Sequence, residues 1–70
     1  MIIVDYMVRK DNKWVSEEKI FYNIDSAVRF CWSIKHKPKM CLNGWRTTSP
    51  EENQEMNFRV NLYKINGWRL

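Results

Sequence analysis

Asn23 and Pro38 bracket a stretch whose apolar residues recur at helical spacing, and this bracketed helix constrains the fold more than any other feature of the chain. Asn is a favoured N-cap because its side-chain oxygen accepts an otherwise unpaired first-turn N–H, and Asp25 follows in the positive first turn. At the other end Lys35, His36 and Lys37 face the negative terminus, and Pro38 disfavours helical backbone at the residue before it. The pattern predicts a helix over 24–36, with Tyr22 and Ala27 placed for a hydrophobic staple. Ile24, Ala27, Val28, Phe30, Cys31 and Ile34 gather on one side, while Asp25, Arg29, Trp32 and His36 line the other. An element this one-sided needs a partner surface, and only short flanks are left to supply it.

The flanks are short because the chain has 70 residues. A chain of that size hides only about 60% of its unfolded surface, enough for one core and one domain spanning 1–70. Buried apolar area and chain entropy nearly cancel at this length, so each large apolar side chain matters. With 44% hydrophobic residues, two Gly and two Pro, the composition is that of an ordered globular domain.

Ahead of the helix, Ile2, Val4, Tyr6 and Val8 alternate on one face, with Ile3 and Met7 among polar residues on the other, which predicts a strand covered fully on one side and partly on the other. The polar turn Lys10-Asp11-Asn12-Lys13 leads to a second β-rich run from Trp14 to Tyr22, completing a hairpin. Ser16-Glu17-Glu18-Lys19 is polar on both faces, as suits an edge strand protected by charge or a bulge better than a central one.

Behind the helix the sequence offers choices. Asn43-Gly44 between apolar flanks reads either as the turn of a small hairpin over 39–46 or as a bulge in one strand. Ser49-Pro50-Glu51-Glu52 is a strong helix start. Beyond it, Met56, Phe58, Val60 and Leu62 alternate with Asn57, Arg59 and Asn61, which predicts a helical turn near 50–54 and then a central strand that ends or bulges where Tyr63 and Ile65 break the phase. The expected architecture is α+β: a small two-layer domain, ββαββ with a further strand if 39–46 is a hairpin, whose mostly antiparallel sheet packs against one α-helix.

The sequence argues against several function classes. The longest uncharged apolar run, Met1 to Val4, is far short of the roughly 20 residues of a membrane span, and no secretory signal is recognisable. Cys31, Cys41 and His36 are too few and too scattered for a structural zinc site, and the two cysteines read as reduced, mostly buried thiols of a cytoplasmic protein. No Ser or Cys has an identifiable base, there is no glycine-rich phosphate loop, and Glu17-Glu18 and Glu51-Glu52 are mere sequence neighbours. No catalytic residue, metal ligand or cofactor is expected.

Three features remain as candidates. Leu42-Asn43-Gly44-Trp45-Arg46 recurs as Ile65-Asn66-Gly67-Trp68-Arg69, two tight turns each delivering a Trp and an Arg to opposite faces, and most simply two plugs for the ends of a small core. On the helix, Arg29, Trp32 and His36 form a stripe with the composition of a binding hot spot, with Asp25 spaced to pair with Arg29; if Trp32 instead folds down over the sheet, the stripe is only a solvated face. Finally, Lys35, Lys37, Lys39 and Arg46 with Trp45 make a basic, aromatic-bearing run; residues 1–35 carry +1 and residues 36–70 carry +3. Lysines at a helix C-terminus also serve the macrodipole, and a net +4 is modest for a nucleic-acid binder.

The short, Lys-, Asn- and Ile-rich chain with four Trp resembles in style, though not in motif, the small accessory proteins of phages and mobile elements in low-GC bacteria. That resemblance implies binding and modulation of a host macromolecule. The leading expectation is a cytoplasmic, non-enzymatic module that binds another protein, through Arg29, Trp32 and His36 or through an exposed sheet edge. The alternative is a nucleic-acid binder using Lys35, Lys37, Lys39, Trp45 and Arg46. No membrane partner is expected, and a homodimer is compatible with either reading.

Overall fold

The computed structural model describes residues 1–66, with side chains through Leu62. Strand β1 (Ile2–Lys10) turns back into β2 (Lys13–Phe21), with Lys10 opposite Lys13 and Ile2 opposite Phe21. The connection is two residues, Asp11 and Asn12, both at positive φ, 50° and 62°. Paired left-handed residues make a turn whose twist matches that of the strands, and Asp and Asn tolerate this conformation better than most side chains.

Helix α1 (Ile24–Lys35) begins where the sequence places it: the Asn23 side chain accepts the Ser26 N–H at 3.2 Å. Ala27, Val28, Cys31 and Ile34 are buried and Phe30 is partly so, the expected apolar side. Two details differ. Tyr22 is 82% exposed, so it does not staple the helix, and the carboxylate of Asp25 pairs with Arg59 instead of Arg29.

Strand β3 (Met40–Thr47) joins the free edge of β1, antiparallel, giving the order β2-β1-β3. Asn43-Gly44 is therefore a bulge and not a hairpin turn: Asp5 faces Gly44, Tyr6 faces Leu42, and Asn43 is the extra residue between them. Gly44 has φ +155°, which a side chain would make strained, so glycine is used here to reset the register.

Helix α2 (Pro50–Asn66) replaces the expected final strand. Ser49 Oγ accepts the Glu52 N–H at 3.2 Å, so the helix start read from the sequence is real, but the helix continues through residues 56–66 and has no strand or bulge after Leu62. Met56 and Val60, four residues apart, are buried, whereas Phe58 is 62% exposed. The alternation of apolar residues held two positions that a helix also places on one side and two that it does not. Beyond Ile65 and Asn66, the second copy of the Trp-Arg echo lies outside the described residues.

Both helices cover the same face of the sheet. Ile2 and Val4 from β1, Ala27, Val28 and Cys31 from α1, and Met56 and Val60 from α2 form the core, flanked by Phe21, Phe30, Leu42 and Trp45. The domain is α+β as expected, a three-stranded antiparallel sheet under two helices. No described helix is long and apolar enough to cross a membrane.

Candidate interaction surfaces

Three surfaces are distinguishable, and the first is the α1 stripe. Arg29 and His36 are exposed, but Trp32 is half-buried and its ring lies flat on that of His36, centroids 4.9 Å apart and 7° from parallel. The stripe exists as a helix face, yet its expected anchor is largely occupied within the molecule.

The second surface is the sheet face turned away from the helices. Side chains alternate along a strand, so burying Ile2 and Val4 turns Ile3, Asp5 and Met7 outward. Their cross-strand neighbours on that face are Ile20, Glu18 and Ser16 from β2, and Arg46, Gly44 and Cys41 from β3. At its centre the Arg46 guanidinium donates to Asp5 through Nε and Nη2, both at 3.0 Å, and to Glu18 through Nη2 at 2.6 Å. One residue thus ties all three strands, and the fork geometry suits carboxylates. These hydrogen bonds, chiefly that to Asp5, push the Arg46 pKa further above its ordinary value. Around this ionic centre Trp14 is 45% exposed and Ile20 49% exposed. Cys41 is also exposed here, contrary to the expectation of mostly buried thiols.

The third surface is one end of the molecule. The turn between β1 and β2 carries Lys10 and Lys13, and next to it the Arg9 N–H donates to the Lys39 carbonyl at 2.9 Å. The connection from α1 to β3, bearing Lys35, Lys37 and Lys39, is thereby fastened beside the hairpin tip. All of these cations are exposed.

The residues expected to act together in a nucleic-acid site are accordingly divided. Lys35, Lys37 and Lys39 share the basic end, but Trp45 is half-buried against the core on the helix side, and Arg46 is engaged on the opposite sheet face. The sequence reading missed Arg9, Lys10 and Lys13, which join the lysines only because β3 pairs with β1. It also missed Asp5 and Glu18 as partners of Arg46, for the same reason.

Two further groups show shifted ionisation without forming a site. Burial pushes the Cys31 thiol from 9.0 to about 11. The carboxylate of Glu52 is held below its ordinary value, chiefly by the N-terminal ammonium of Met1 at 2.9 Å. Among the described residues, no group of three or more His, Cys, Asp and Glu is arranged to hold a metal ion. No protein-family model matches the chain, and comparison with curated proteins and with solved structures finds no significant match.

Proposed function

We propose that the chain is a non-enzymatic interaction module that binds another protein through the bare face of its sheet. The observation that carries this reading is the one-sided architecture: both helices cover one face, leaving Trp14 and Ile20 about half exposed on the other beside the half-buried Ile3 and Met7. Exposed apolar side chains collected on one sheet face, here on both sides of an ionic centre, are a feature of protein-interaction surfaces. Charge at the centre of this face favours a protein over a nucleic acid, because the two carboxylates of Asp5 and Glu18 outweigh the single Arg46 there. The fitting partner presents apolar side chains with a basic group set to meet Asp5 and Glu18. The resemblance in style to phage accessory proteins points in the same direction, toward a host protein as target.

The test uses immobilised protein and nuclease-treated bacterial lysate, comparing the native chain with Ile20→Asp. Ile20 sits about 20 Å along β2 from Trp14, by strand rise, and so reports on the sheet face without touching the basic end. The expected result is that one protein captured by the native chain is lost from Ile20→Asp while the circular dichroism melt is retained, and that Cys41 becomes protected from maleimide in the complex. Capture undiminished by Ile20→Asp but lost with Trp32→Ala would move the site to α1 and overturn the reading.

A further inference from the structure

We infer that the end formed by the β1–β2 turn and the α1–β3 connection is a contact surface for single-stranded nucleic acid, with its cations on phosphates and Trp14 beneath a base. This inference goes beyond the sheet-face reading and shares only Trp14 with it. Arg9, Lys10, Lys13, Lys35, Lys37 and Lys39 make up half of the twelve Lys and Arg in the chain. Among the described residues, Asp11 and Glu17 oppose them at this end, Glu17 lying 3.5 Å from Lys10. Elsewhere among the described side chains, Lys19, Arg29, Arg46 and Arg59 stand against six acidic residues, so the positive charge of the described residues is concentrated at this end. A charge balance this uneven is an electrostatic footprint for a polyanion even where the net charge is modest.

The aromatic component distinguishes nucleic acid from other polyanions. Trp14 lies opposite Arg9 in the hairpin, 45% exposed, so an accessible ring stands beside that cation, with Lys10 and Lys13 projecting from the other face of the same turn. Single strands are held by this combination, since every base has a face that stacks and every nucleotide has a phosphate. An anionic membrane fits less well. The exposed apolar residues at this end, Trp14 and Val15, are successive in a strand and project from opposite faces of the sheet, so they cannot enter one lipid plane together.

The experiment is fluorescence anisotropy of a labelled oligothymidylate strand titrated with the protein at several salt concentrations. With about four phosphates contacted, affinity should fall roughly fifty-fold between 50 and 200 mM salt; losing two contacts in Lys37→Ala/Lys39→Ala should reduce that to about sevenfold. Trp14→Ala should weaken binding about tenfold at fixed salt. All these side chains are exposed, and circular dichroism confirms the fold of each variant; if the Lys37/Lys39 variant melts early, Lys10→Ala/Lys13→Ala should reduce the salt slope in the same way. The inference is overturned by absence of binding at low salt, by an unchanged slope in the folded lysine variants, or by full affinity in Trp14→Ala. Equal binding of a duplex, whose paired bases cannot reach Trp14, or tighter binding to phosphatidylserine vesicles or polyglutamate also overturns it.

Discussion

The two cysteines show how far local surroundings separate chemically identical residues. Cys31 is 1% exposed within the core, and desolvation disfavours its thiolate, raising its pKa to about 11. Cys41 stands in the open on the sheet face. A thiol reagent at pH 8 should therefore modify one cysteine per folded chain at once and the second only after denaturant is added, which mass spectrometry would read directly; prompt modification of both would contradict the placement of Cys31. The pH dependence follows the same asymmetry. An unfolded chain loses the Cys31 proton near the ordinary 9.0 while the folded chain keeps it to about 11, so this group's contribution is fully present below pH 9 and declines as pH rises through that window. Glu52 acts at the acid side. Its folded pKa is depressed, so its contribution is fully present above the ordinary carboxylate value, declines as pH falls below it, and is gone once pH has passed the lowered value. A thermal-melt series across pH should show both edges, the alkaline one absent in Cys31→Ala and the acid one weakened in Glu52→Gln.

Among the elements, α1 was legible because three independent signals agreed: a cap at Asn23, a stop at Pro38 and an apolar arc at helical spacing. The hairpin was equally plain, since alternation in β1 and a polar turn pointed to the same register. At α2 the signals conflict: the capping motif at Ser49 starts a helix, while the alternation over 56–62 reads as a strand. A strand there would require both Phe58 and Val60 in the core, whereas the helix needs only a narrow apolar line formed by Met56 and Val60. Two substitutions separate the readings by thermal or urea melts. Phe58→Ser should change stability by less than about 0.5 kcal/mol, as for an exposed site, while Val60→Asp should leave the domain unfolded because it buries an unpaired charge. For the turn, Asn12→Val forces a β-branched residue into positive φ and should cost about 1–2 kcal/mol, whereas Asn12→Gly should be neutral or stabilising. At Asn43-Gly44 the sequence allows either a turn or a bulge; what decides is β3 pairing with the distant edge of β1, which no local pattern encodes.

For the molecule as a whole, what the sequence withheld was adjacency. Arg46 and Asp5 are 41 positions apart, and Arg9 meets Lys39 across the sheet, so both the ionic centre and the basic end are products of strand order. Strand order also leaves β2 as an edge nine residues long, a template for pairing with a second copy. Glu17, Glu18 and Lys19 occupy its middle, and in an antiparallel self-pairing centred on Glu17, the midpoint of the strand, Glu17 would oppose its own copy while Glu18 and Lys19 would face uncharged Ser16 and Val15. Replacing Glu17 and Lys19 by Thr, which keeps strand propensity and removes charge, should convert a monomer into concentration-dependent assemblies in sedimentation velocity. Unchanged sedimentation would mean that something other than charge guards the edge.

Placing β1 in the middle of the sheet also bears on how the chain reaches this state. Its pairing with β2 closes over a two-residue turn, but its pairing with β3 joins Ile2 to Thr47, and the side chains that seal Ile2 and Val4 come from both α1 and the still more distant α2. A lone hairpin is at best marginal in water, and the entropy of closing the long loop must be spent before the distant contacts form. The early hairpin is thus a transient species, and productive collapse waits for the sequence-distant half. Folding should be a single concerted step at the intermediate speed of mixed α/β domains, and a peptide of residues 1–22 alone should show no cooperative melt by circular dichroism.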